Sequence, residues 1–168
     1  MDVQEELQMA THYVIECHDK DGNLKWQEDF HNLVTTAGLT DLLDKYFKGS
    51  AYTAAFYVGL TGGTPTFAAG DTMASHAGWA ESAAYSQATR PALTLGTASA
   101  GSIDNSASKA QFSINANATI GGAFLCTNNT KSGTTGTLYG GGAFTEGNRS
   151  VVNGDTISVQ MTLTATSS

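Results

Sequence analysis

Residues 11–30 read THYVIECHDKDGNLKWQEDF, and this stretch decides the fold. Tyr13, Ile15 and Cys17 alternate with Val14, Glu16 and His18, so an extended backbone puts the first set on one face and the second on the other. Asp19-Lys20-Asp21-Gly22-Asn23 interrupts the alternation. Asp-Gly marks a hairpin turn because Gly accepts positive φ. Leu24, Trp26, Glu28 and Phe30 then alternate with Lys25, Gln27 and Asp29. The pattern predicts an antiparallel hairpin with one face wet.

Downstream lies the one segment with helical period. Leu39, Leu42, Leu43, Tyr46 and Phe47 recur at i, i+3, i+4, i+7 and i+8, a single apolar stripe. Thr35 or Thr36 supplies the cap, Lys45 and Lys48 fall in the last turn where the dipole favours cations, and Gly49 ends it. A helix over about residues 36–48 is expected, packed on a sheet by that stripe.

The remainder reads as strands. Ala54–Leu60, Ala88–Leu95, Lys109–Asn115, Thr119–Thr127, Gly136–Phe144 and Thr156–Thr164 carry the apolar patterns, with Asn153-Gly154-Asp155 as a tight turn. Arg90-Pro91 marks Ala88–Leu95 as an edge strand, since Pro removes a ladder donor. Thr61–Ala69 is a loop and Asp71–Ala74 a helical turn. The last strand ties the C-terminus into a sheet. About eight strands and one helix predict a mainly β chain, an antiparallel β-sandwich of jelly-roll-like kind. Residues 11–168 form one such domain, and residues 1–10 are an acidic arm or a frayed terminus.

Composition agrees with one domain. The chain has 168 residues and 19 Gly, with 8 Lys+Arg against 15 Asp+Glu for a net charge of −7. A basic face for nucleic acid or anionic lipid is lacking, and no apolar run approaches the ~20 residues of a membrane span. Met1 to Ala10 is polar and acidic, unlike a signal peptide. Cys17 and Cys126 are expected as reduced, buried thiols, since nothing in the chain signals export to an oxidising compartment.

The candidate chemistry is thin. His76, Trp79 and Glu81 form the most enzyme-like cluster, yet a five-residue spacing along an extended segment puts His76 and Glu81 on opposite faces. A loop pinned by burial of Trp79, with Ser75 and His76 bonded to backbone, explains them better. His12, His18 and His31 with Cys17 lack any metal-ligand spacing. Asp19, Asp21 and Asn23 resemble the start of a calcium loop, but Leu24 and Phe30 stand at its sixth and twelfth places. Neither Gly59–Gly63 nor Gly140-Gly141-Gly142 leads into a helix with Lys-Ser/Thr, so a phosphate loop fails and close backbone approach is the better reading. There is no G-x-S-x-G. The sequons at Asn117, Asn128 and Asn148 are expected by chance in a chain so rich in Asn, Thr and Ser. No catalytic, cofactor-binding or metal-binding residue is assigned, and no enzyme is expected.

Longer patterns carry a resemblance. His31-Asn32-Leu33-Val34-Thr35-Thr36-Ala37-Gly38-Leu39 follows the hairpin. Tyr57-Val58-Gly59-Leu60 comes next, then Ala69-Gly70-Asp71-Thr72-Met73-Ala74-Ser75-His76-Ala77-Gly78-Trp79-Ala80-Glu81 with Tyr85 and Arg90-Pro91. Ile120-Gly121-Gly122-Ala123-Phe124-Leu125, Gly154-Asp155-Thr156-Ile157-Ser158-Val159 and Leu163-Thr164-Ala165-Thr166 complete the order. Over residues 12–166 this resembles the cement (decoration) or head-fibre proteins of tailed bacteriophages.

The resemblance implies a non-enzymatic jelly-roll-like protein, made in the host cytoplasm and added to the outer capsid surface. Its partner there would be the major capsid protein, and the chain would be a homo-oligomer, dimer or trimer. Neither nucleic acid nor membrane is a partner, and no cofactor is implied. Tyr52 and Tyr139 are candidate interface anchors. The alternative is a receptor- or carbohydrate-binding head-fibre or tail module, with Trp79 and Tyr85 as an aromatic platform.

Overall fold

The computed structural model describes residues 7–49 and 51–167. Two antiparallel sheets face each other, with one α-helix at their side. The chain is mainly β, an antiparallel β-sandwich with one helix, as its alternating patterns predict.

The predicted hairpin is β1 (Leu7–His18) and β2 (Leu24–His31). Its turn is held by the Asp19 carboxylate, which accepts the backbone N–H groups of Asp21 and Asn23 and the Asn23 amide. Gly22 takes φ +84° there. β1 begins at Leu7, and Leu7–Ala10 pair with Thr164–Ser167. Four of the ten residues set apart as an arm or frayed terminus therefore belong to the sandwich. Residues 1–6 lie outside the described residues.

After the two-residue β3 (Leu33–Val34) comes α1 (Thr36–Phe47). The other strands are β4 (Tyr57–Gly62), β5 (Ala80–Ser82), β6 (Ser102–Asp104), β7 (Ala110–Ser113), β8 (Ala118–Cys126), β9 (Leu138–Ala143), β10 (Arg149–Val151) and β11 (Thr156–Ser167). A 3₁₀ turn, Ser106–Ser108, precedes β7.

The first sheet runs β2-β1-β11, and both β7 and β6 pair with the far side of β11. β7 takes Thr156–Val159 and β6 takes Thr162–Thr164. Asn105 spans the break between them. It is 1% exposed; its Oδ1 accepts from the Met161 N–H and its Nδ2 donates to the Val159 carbonyl. A side chain thus stands in for a rung of ladder where the backbone changes strands.

The second sheet runs β3-β9-β8-β4-β5, with β10 also on β8. Tyr13, Ile15, Phe30, Ile157 and Met161 from the first sheet meet Val58, Leu60, Ile120 and Leu125 from the second, and this is the main core. The second sheet is buried on its outer face too. There Phe124, Cys126 and Leu138 are covered by Met73, Trp79 and Phe67 of the long segment after β4. Phe124 has a glycine on each side in register, Gly59 and Gly141. A Cβ at Gly59 would meet the Phe124 ring, and one at Gly141 would meet the Phe67 ring. These glycines admit aromatic rings against bare backbone.

Three expectations need correction. Ala88–Leu95 is not a strand. It makes only isolated bridges at Thr89 and Ala92, because Arg90 turns inward and is 1% exposed. Asp71–Ala74 is a turn closed by a Thr72–Ser75 bridge rather than a helical one. Most consequential, the apolar stripe of α1 does not pack on a sheet: Leu39, Leu43, Tyr46 and Phe47 are all exposed.

Candidate interaction surface

His76 and Glu81, expected on opposite faces, line one cavity together with Trp79, because the chain turns at residues 77–78 instead of running extended. His76 stacks on Trp79 with ring centroids 3.7 Å apart, and its Nδ1 lies 3.0 Å from the Trp79 carbonyl. Trp79 is 7% exposed, flanked by Phe67 and Phe124, and its indole N–H donates to Asp71. Glu81 turns instead to Arg90 and accepts from Nε at 3.0 Å and Nη2 at 2.7 Å. Arg90 also donates to the Asn128 and Gly133 carbonyls and sits over the Phe124 ring. Burial works against its charge, but the Glu81 carboxylate, Cys126 and Tyr85 together hold the guanidinium above its ordinary range. A cavity of about 180 Å³ lies beside His76, Glu81, Arg90 and Ser132. Glu81 is held there by Arg90 and by the Ser132 N–H, so its carboxylate is committed to structural hydrogen bonds.

The histidine group, by contrast, divides. His12 and His31 face each other across β1 and β2, centroids 4.9 Å apart, and His12 pairs with Asp29. Cys17 points to the opposite face, is fully buried, and donates weakly to Asp155. Burial, and then the Asp155 charge, push its thiol up to about 12. Cys126 is likewise buried and free, its thiol raised mainly by burial. Among the described residues no three His, Cys, Asp or Glu side chains are grouped to hold a metal. Among the described residues no helix is long and apolar enough to cross a membrane.

The calcium-like residues are the hairpin turn, where the Asn23 amide and backbone N–H hold the Asp19 carboxyl below the usual range. Gly140 and Gly142 let Leu33 and Phe30 come close, as Gly141 does Phe67. Other buried charges are likewise paired: Glu28 accepts from Arg149, and Asp155 accepts from Lys25. Sequence reading missed the partners of Glu28, whose place on the apolar face of β2 was the available signal.

What remains open is α1. Thr35 caps it, accepting from the Gly38 N–H while its own hydroxyl donates to the Leu138 carbonyl. The Thr35 and Thr36 N–H groups donate to Tyr139 and Ala69 carbonyls. Gly38 is the one buried helix residue, pressed so close to β9 that a Cβ would sit 2.6 Å from the Tyr139 oxygen. The helix is bolted down at its first turn through Gly38, and Asp41, Leu42 and Lys45 continue that inner side. The stripe lies roughly a quarter turn further round. Leu39 is 41% exposed, Leu43 52%, Tyr46 78% and Phe47 72%.

Beside the inner edge of α1 runs an apolar groove of about 350 Å³ between Leu42, Tyr52, Phe56, Ile103 and Leu163. Of the two tyrosines expected as anchors, Tyr52 is 47% exposed, whereas Tyr139 is 5% exposed and belongs to the core.

The fold and this surface define an antiparallel β-sandwich that carries an outward-facing amphipathic helix. No protein-family model matches the chain, and no curated protein matches it.

Proposed function

We propose that this chain is a non-enzymatic structural protein of a virion, a cement or decoration protein that binds the outer face of a tailed-phage capsid and stabilises it. The observation that carries the reading is the distribution of polarity. Charged groups in the interior are tied into structural pairs, as Arg90–Glu81, Arg149–Glu28 and Lys25–Asp155 are, while the open surface has the features of adhesion. The short side chains of Thr156, Thr162 and Thr164 along β11, each half-buried, lose little rotamer entropy on docking. Many weak contacts on a symmetric lattice then add by avidity. The ordered resemblance over residues 12–166 supports the same class, with the major capsid protein as partner and the particle surface as location.

The test is co-sedimentation of purified protein with particles that lack it. Saturation at a copy number set by the lattice, with a raised rupture temperature, is the expected result. It should persist in ~1 M salt, where the Debye length is about 3 Å. Failure to bind, or binding without stabilisation, overturns the reading. The receptor- or carbohydrate-binding alternative loses its platform, because Trp79 and Tyr85 are 7% and 1% exposed.

A further inference from the structure

We propose that the outward face of α1 is a self-association surface, on which a second copy of this chain packs its own α1 in antiparallel orientation about a two-fold axis near Leu43. The pairing deepens the homo-oligomer expected under the capsid reading by naming its interface and its two-fold geometry, and it is tested without any capsid.

Area comes first. Four large apolar side chains at 41–78% exposure amount to roughly 500 Å² of contiguous apolar surface, at the top of what a monomer ordinarily shows. A stable interface buries about 800 Å² per partner, with an apolar core and a polar rim. The stripe supplies the core, and Thr36, Thr40, Asp44 and Lys48 around it are placed to supply the rim.

Self-complementarity comes next. Leu39, Leu43 and Phe47 are spaced four apart on either side of Leu43. A reversed copy therefore sets Phe47 against the partner's Leu39 and Leu43 against itself, and the two helix dipoles oppose. Charge points the same way. The chain carries −7, which repels copies in general, but residues 36–48 hold Asp41 and Asp44 against Lys45 and Lys48 and so cancel. Asp44 and Lys48 already pair within the helix at 2.9 Å. Two copies can approach here without mutual repulsion.

Attachment comes last. The first turn is fixed through Thr35 and Gly38, so the ridge is held ready and little ordering is required on docking. The six residues before Leu7 hold Asp2, Glu5 and Glu6 with only Met1 and Val3 apolar, a poor match for this ridge.

Sedimentation equilibrium of the full-length chain, without particles, decides the matter. The expected mass is twice 17.4 kDa at micromolar concentration. Leu43→Asp should weaken association by roughly 30-fold or more, the effect of losing a central anchor, with an unchanged far-UV circular dichroism spectrum because Leu43 is half exposed. Leu43→Cys should cross-link to itself on mild oxidation, and Thr36→Cys should do so far less. A monomer for the parent chain at ~100 µM, a trimer mass, or a dimer indifferent to Leu43→Asp overturns the pairing. A monomer whose capsid binding is abolished by Leu43→Asp also overturns it, and leaves the capsid as the occupant of this face with the cement reading intact.

Discussion

Arg90 and Glu81 form a bidentate ion pair inside the protein, their side chains 0% and 7% exposed. The pair ties the segment between β5 and β6 back to β5, and the Ser132 N–H, from the loop after β8, also donates to Glu81. Removing one partner strands the other charge, which costs about 3–5 kcal/mol for a buried pair. Arg90→Met and Glu81→Leu should each lower stability by about that much. The double variant should lose clearly less than the sum, because it strands no charge. Urea denaturation of the four proteins measures the coupling, and simple additivity would refute it.

Asn105 should be irreplaceable as a ladder surrogate. Asn105→Ala leaves the Met161 N–H and Val159 carbonyl without their partners, for a loss of about 1–3 kcal/mol. Asn105→Asp keeps an acceptor for Met161 but points an oxygen at Val159, and should be no better. Hydrogen exchange at the Met161 amide is the sharper readout. It should accelerate in both variants more than exchange at Ile15, deep in β1.

The glycines beside Phe124 should behave as a set. Gly59→Ala drives a methyl group into the ring and should cost about 1–3 kcal/mol by overpacking. Phe124→Leu alone opens space and also destabilises. Together they should cost less than the sum, since the smaller side chain yields room for the methyl group. Thermal melts of the three variants check this, and a full sum would show that the ring is not what the methyl group meets.

Stability should fall in alkali. Burial, followed by the Asp155 charge, raises the Cys17 thiol from 9.0 to about 12. Cys126, Tyr13 and Tyr85 are also raised, chiefly by burial. Each is protonated in the fold at a pH where the unfolded chain has begun to lose the proton. The unfolded state then binds fewer protons, and stability declines as pH rises. The contribution of Cys17 is complete below pH 9 and is lost progressively up to about pH 12. Cys17→Ala should flatten the fall in melting temperature over that window. Asp19 and Asp104, lowered by hydrogen bonds from Asn23 and Ser106, act in the opposite sense. Their contribution is present above about pH 3.8 and is lost as pH falls below it.

The hairpin and the helix were legible because their signals are local. Alternation and Asp-Gly set β1 and β2, and Thr35, the apolar period and Gly49 set α1 to within a residue of its observed Thr36–Phe47. The direction in which α1 faces was not legible. Periodicity says which residues share a side, not what that side meets; Gly38, the residue that meets the sheet, bears no side chain to register in such a pattern. The short strands β3, β5, β6 and β10 escaped for a related reason, being two or three residues long and defined by partners far along the chain. Burial is the favoured reading of Trp79 and holds, whereas Tyr85 and Tyr139 are also open to a surface role that tertiary packing rules out.

The pairing of β1 with β11 runs unbroken from Leu7↔Ser167 to His18↔Thr156, so the centre of the first sheet joins residues well over a hundred positions apart. Local contacts cannot nucleate it, and such topologies fold slowly. During synthesis the β1–β2 hairpin emerges early with one edge unpaired, and the strand that closes it arrives roughly ten seconds later at ordinary translation rates. Neighbouring nascent chains offer the same open edge in the meantime. Yield of the native protein is therefore a race between the completion of β11 and collisions among unfinished copies, and it should worsen with expression rate faster than with any loss of final stability.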